Sequence, residues 1–152
     1  MQKINIKNLD WIVGLWWQDL EPQEKARKKA HRILQDFDDP NIYNVFSYKD
    51  FGTYQIGLGQ SSKYKEEINR PSLATTICEN FLNDGFLGWF RIDENHVWVI
   101  AIADGTILAD GDLYGAEDDV LETFTLYEQL SDAQWANNIQ IYDTVESATN
   151  EI

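Results

Sequence analysis

Carboxylates, glycines and tryptophans carry whatever chemistry this chain holds, and each cluster has a plain structural reading beside the chemical one. Asp104-Gly105-Thr106 resembles a phosphate-cradling hairpin loop, where glycine lets backbone amides approach an anion. Asp-Gly is equally the preferred pair for a two-residue type I′ turn, whose central residues both need positive φ. The preceding hairpin, Asp93-Glu94-Asn95-His96, has no glycine, and Glu94 would repel phosphate. Gly57-Leu58-Gly59-Gln60-Ser61-Ser62 lacks the spacing of a phosphate loop and reads as a strand end needing permissive φ.

Asp104, Asp110 and Asp112, with Glu117, Asp118 and Asp119, bring enough carboxylates together to suggest a metal. Their spacing matches no EF-hand loop, so the expected role is a solvated acidic rim at strand ends. His31 and His96 are the two histidines, and no nucleophile elbow or zinc signature accompanies either. The lone Cys78 excludes an internal disulfide or a multi-cysteine metal site and reads as a small buried hydrophobe. Trp11 to Trp17 could stack on sugars, but aromatics interleaved with Ile and Val more often form core. Trp16 and Trp17 must point to opposite faces of a strand, so one can be buried while the other meets a helix or a partner.

The 152 residues suit one domain or two small lobes, with aromatics enough for a core without staples. The net charge of −14 is lopsided. Residues 1–83 hold 11 acids and 11 bases, whereas residues 84–152 hold 15 acids and one base, Arg91. Such a field repels nucleic acid and anionic lipid, so nucleic-acid binding is not expected. No apolar run approaches a membrane span, and no cleavage site follows Trp17, so a cytoplasmic protein is expected.

The elements organise around Gly85 to Gly115. Apolar runs Phe86–Ile92, Val97–Ala103 and Thr106–Ala109 predict an antiparallel meander, its third strand ending at Asp110-Gly111 and its middle strand covered by helices. Upstream, Gln2–Lys7 and Leu9–Leu20 read as strands joined near Asn8-Leu9. A helix follows from Pro22 to about Phe37, with Ala26, Ala30, Ile33, Leu34 and Phe37 inward and Lys25, Arg27, Lys28, Lys29 and Arg32 outward. Ile42–Tyr48 and Phe51–Leu58 form a hairpin turning at Lys49-Asp50. Ser72 caps a helix to about Asn83, closed by Gly85, with Leu73, Ile77, Phe81 and Leu82 inward. A further helix from Ala116 to about Gln129 turns Val120, Leu121, Phe124 and Tyr127 or Glu128 inward, Ile139–Tyr142 is a last strand, and the polar end frays over Glu146 to Glu151.

These patterns predict an α/β fold (α+β, with mixed sheets). The lobes are expected at 1–62 and 72–152, joined by a linker over 63–71. Strand–strand–strand–helix–strand is how ribonuclease H-like and actin-like folds open, and two such lobes would face each other across a cleft. An actin-like nucleotide-binding protein using that cleft is therefore the enzymatic alternative, and a carbohydrate-binding module using the tryptophans a third.

Val13 to Gln18 (VGLWWQ, containing Gly14-Leu15-Trp16-Trp17-Gln18), GFLGWFRID, VWVIAIADGTILADGDLYG and the acidic helix start at Ala116 together resemble the PilO-type pilin accessory proteins of type IVb pilus systems. The resemblance covers nearly the whole chain. It implies the cytoplasmic N-terminal region of a bitopic inner-membrane protein, with a transmembrane segment downstream. That region is similar to the cytoplasmic domain of type II secretion L proteins, two α/β lobes around a cleft. It implies docking of the pilus assembly ATPase and of the polytopic inner-membrane platform protein, with no catalytic residue and no cofactor, and leaves a homodimer open. Two surfaces are candidates for docking: the basic face with Lys25, Lys28, Lys29 and Arg32, and the acidic rim with Glu117, Asp118 and Asp119.

Overall fold

The computed structural model describes residues 1–21, 25–34, 43–61, 72–130, 135 and 138–152. The expected linker over 63–71 and both ends of the first helix lie outside them. Strands β1 (Gln2–Ile6) and β2 (Leu9–Val13) form a hairpin that turns at Lys7-Asn8, both at positive φ (53° and 63°). The turn falls one residue before the expected place, since Asn tolerates left-handed backbone better than Leu. The single strand expected from Leu9 to Leu20 is two. Gly14, at φ 79°, ends β2, and the chain leaves the hairpin as β3 (Trp16–Asp19).

The second sheet has the order β3-β5-β4, built from β4 (Tyr43–Lys49) and β5 (Gln55–Ser61), all antiparallel. Its hairpin does not turn at Lys49-Asp50. Lys49 stays in the ladder opposite Gln55 and is buried, donating to the carbonyls of Phe51 and Thr53 and to Thr53 Oγ1. The connection is therefore longer, 50–54, with Gly52 at φ 62°. Helix α1 (Ala26–Leu34) lies on this sheet, burying Ala30 with Leu20, Ile56 and Leu58 and packing Ile33 beside them.

Helix α2 (Leu73–Cys78) begins as expected, with Ser72 Oγ accepting from Thr75 N at 3.1 Å. It ends at Cys78 rather than near Asn83, and Glu79 caps it instead of Gly85. Asn80 and Phe81 donate to carbonyls three residues back, the tighter winding of a finishing helix. Leu82, past that end, is exposed.

The third sheet has the order β8-β7-β6-β9. It comprises β6 (Phe86–Arg91), β7 (His96–Ala103), β8 (Thr106–Ala116) and β9 (Ile139–Tyr142). The first three form the expected meander, and β9 returns parallel to β6 after helix α3 (Glu117–Leu130). Asp104-Gly105 adopts the expected turn (φ 49° and 75°). β8 does not stop at Asp110-Gly111; a register irregularity opposite Ile100–Ile102 carries it through to Ala116.

β7 is buried on both faces, but only one is covered by a helix alone. Val97, Val99 and Ala101 join Val120 and Phe124 of α3. Trp98, Ile100 and Ile102 join Ile12 and Val13 of β2 with Leu73 and Ile77 of α2. Leu121 is not inward. Val120, Phe124 and Tyr127 share one stripe of α3, and Leu121, about 100° round the helix, is 47% exposed. The chain end does not fray within 145–151: helix α4 (Val145–Glu151) carries a Thr144–Ser147 capping box and buries Ala148.

The two glycines of β8 differ in what surrounds them. A Cβ on Gly111 would meet the Ala101 carbonyl oxygen at 2.6 Å, backbone that cannot step aside, whereas one on Gly115 meets Val120 at 3.5 Å. Gly111→Ala is expected to cost about 1–3 kcal/mol in urea denaturation, and Gly115→Ala to stay near neutral. Equal effects would show that the β7–β8 irregularity is not close-packed.

Candidate functional site

Both phosphate-loop candidates are closed by their own chain. At Asp93–His96, Asp93 Oδ1 accepts from Asn95 N at 2.8 Å and faces His96 Nδ1 at 2.8 Å, while the His96 ring stacks on Tyr114. At Asp104–Thr106, Gly105 N donates to Phe81 O. The Gly105 carbonyl accepts from Cys78 Sγ (3.3 Å) and Thr53 Oγ1 (3.4 Å), and Thr53 Oγ1 also meets Thr106 Oγ1 at 3.0 Å. Backbone groups used in packing are not available to cradle an anion.

Asp112 departs most from expectation. It is not part of an acidic rim but only 2% exposed. Its Oδ1 accepts from Gly14 N (2.8 Å) and Trp98 Nε1 (2.8 Å), and its Oδ2 from Leu15 N (3.2 Å) and Trp17 Nε1 (3.0 Å). Burial raises its pKa above the usual carboxylate value, against the four donated hydrogen bonds that favour the ionised form. Among the described residues no three His, Cys, Asp or Glu side chains are grouped to hold a metal. Nothing local in the sequence marks Asp112 as buried, because its donors come from 14–17 and from β7.

The two expected docking surfaces lie on different sheets. α1 packs on β4 and β5, α3 on β6, β7 and β8. Lys25, just before α1, and Lys28 and Arg32 on it are exposed, and Lys29 Nζ donates to Asp19 O at 2.6 Å. On α3, Asp118 and Asp119 are exposed. Glu117 pairs with Arg91 at 2.9 Å, and the same guanidinium reaches Asp143 Oδ1 at 3.3 Å.

Among the described residues, two of the grooves in the surface lie near these elements. One, of about 300 Å³, runs between β3 (Gln18, Asp19) and the start of β8 (Thr106 to Ala109), over Gln55. The other, of about 370 Å³, lies between α1 and β3 and is lined by Trp16, Ile33, Leu58 and Gln60. Trp16 is 46% exposed and Trp17 2%, the opposed pair that strand alternation requires.

Replacing Asp112 by Asn keeps its shape, but whichever side the amide nitrogen takes, two N–H donors lose their acceptor. Asp112→Asn is therefore expected to destabilise by about 3 kcal/mol, read by urea denaturation with tryptophan fluorescence. An unchanged midpoint would mean the four hydrogen bonds do not hold the fold. Cys78 is buried, and burial pushes its thiol up to about 11. Roughly one thousandth of it is then ionised at pH 8, so thiol reagents are expected to label it only on unfolding. Rapid labelling of the native protein would contradict this placement.

Comparison with known proteins bears on what the surface serves. No curated protein matches the chain. Among solved structures, it is similar to the crystal structure of the cytoplasmic domain of BfpC, with 17% identity and a TM-score of 0.63, over 96% of this chain and 85% of that one. At that identity the likeness speaks for the fold. Residues 11–148, from β2 into α4, match the family described as pilin accessory protein (PilO). With nine-tenths of its length inside that match, and the tryptophan segment, the β6–β8 meander and α3 within it, the chain belongs to the PilO family of pilin accessory proteins.

Proposed function

We propose that this chain is a non-enzymatic docking domain of type IV pilus biogenesis, recruiting the assembly ATPase and contacting the polytopic platform protein on the cytoplasmic side of the inner membrane. The observation that carries the reading is the family match over residues 11–148. The likeness to the cytoplasmic domain of BfpC supports a cytoplasmic placement; a membrane segment downstream is part of the proposal. Among the described residues no helix is long and apolar enough to cross a membrane.

The architecture proposed is two lobes, 1–62 and 72–152 joined over 63–71, around a cleft. The order β8-β7-β6-β9, with β9 parallel to β6, supports a ribonuclease H-like or actin-like second lobe. The groove between β3 and β8 would then be the cleft. An actin-like nucleotide-binding protein remains the competing reading for that groove. Against it stand the closed loops at Asp93–His96 and Asp104–Thr106, which spend their backbone groups within the fold.

Calorimetric titration with the assembly ATPase encoded beside it, and separately with Mg-ATP, distinguishes these readings. Saturable binding to the ATPase with none to Mg-ATP is expected. Mg-ATP binding in the absence of the ATPase would make the groove a nucleotide site and overturn the docking reading.

A further inference from the structure

We infer that the groove between α1 and β3 receives a short acidic segment of the partner, an apolar side chain lodging beside Trp16 and carboxylates meeting α1. The inference rests on the docking reading and adds to it the surface and the chemistry of the bound segment.

Register explains the groove. Trp16 lies opposite Leu58 and Gln18 opposite Ile56, so these four side chains share the sheet face on which α1 lies. α1 covers Leu58 and Ile56 through Ala30 and Ile33 but leaves Trp16, on the same face, 46% exposed. The Trp16 ring therefore stands at the far wall, Ile33 at the near wall, and Leu58 forms the floor. Among the described residues of this lining Gln60 alone has a polar side chain, beside Met1 and Gly14, too few converging groups for a polar small ligand. A partly exposed tryptophan beside an apolar floor is instead the composition of a protein contact centre.

Charge selects the occupant. Lys28 and Arg32 are exposed on α1 and Lys25 just before it, on a chain whose net charge is −14. An acidic segment is repelled by the remainder of the surface and attracted here, which both steers and orients it. A second copy brings its own −14, so a foreign acidic segment is the better occupant.

The test measures binding of the assembly ATPase to four forms of this domain, at low and at physiological salt. These are the unmodified chain, Trp16→Ala, the pair Lys28→Glu with Arg32→Glu, and, on the other surface, Asp118→Lys with Glu122→Lys. The substituted side chains are exposed, and urea midpoints verify that each form is folded. Trp16→Ala and the α1 pair are each expected to weaken binding about tenfold or more, with salt weakening the unmodified complex. The α3 pair should leave affinity within about twofold. Unchanged affinity in both groove variants, with the unmodified chain binding, overturns the groove assignment alone. No binding by the unmodified chain overturns the docking reading and this assignment with it. Self-association of the unmodified chain that the groove variants abolish, seen by sedimentation, gives the groove to a second copy and overturns it too.

Discussion

A buried carboxylate with four N–H donors is the interaction on which the arrangement of sheets depends. Where β2 stops and β3 starts, the amides of Gly14 and Leu15 leave the hairpin ladder, and buried amides without acceptors are costly. Asp112, on another sheet, accepts from both. The indoles of Trp17 and Trp98 fill its remaining sites, one from the β3-β5-β4 sheet and one from β7. The dependence is mutual. The break in the first strand needs an acceptor, and a carboxylate out of water needs donors. Neither is tolerable without the other, so β3 is held beside β8.

A second polar seam runs along the same junction. The Gln55 side-chain amide pairs with Ile107 as a strand residue would, donating to its carbonyl at 2.8 Å and accepting from its amide at 2.9 Å. It covers part of the open edge of β8, the sort of edge that otherwise invites pairing with another chain. Thr53 and Thr106 continue the seam, and the buried Lys49 ammonium fixes the loop bearing Thr53. Its pKa is lowered, chiefly by desolvation, which is the cost of holding the loop from inside. Apolar surfaces can slide past one another at little cost; these directional bonds fix the register between the sheets.

What the sequence disclosed follows the range of each interaction. The β6–β8 meander, the Asp104-Gly105 turn, the Ser72 cap and the opposed faces of Trp16 and Trp17 are local in origin, and pattern reading reached them. The misplacements have non-local causes. Leu9–Leu20 reads as one strand because the need to break at Gly14 arises from Asp112, nearly a hundred residues away. Lys49 reads as a turn residue because its burial is satisfied by carbonyls that only the folded loop presents. Asp112 reads as solvated because Asp-Gly pairs at strand ends usually are. Of the two expected docking surfaces, the charges on α1 and α3 are legible in the sequence but the groove is not, since Trp16 and Ile33 line one groove only when α1 lies on the β3-β5-β4 sheet.

Buried polar chemistry in this fold is turned inward and spent on structure. Asp112, Gln55, Lys49, Cys78 and the Gly105 carbonyl are all engaged within the chain. What faces outward is shape and charge: a basic helix beside a tryptophan-walled groove on one sheet, and an acidic helix on the other. On the docking reading this division has a physical logic. Recognition by charge depends on where charges stand relative to one another, and the two helices belong to sheets that would drift if joined only by apolar contact. The polar seam holds them apart at a set distance, so the α1 groove and the acidic face of α3 keep one relative position. A buried carboxylate thus serves the surface from within, without itself meeting the partner.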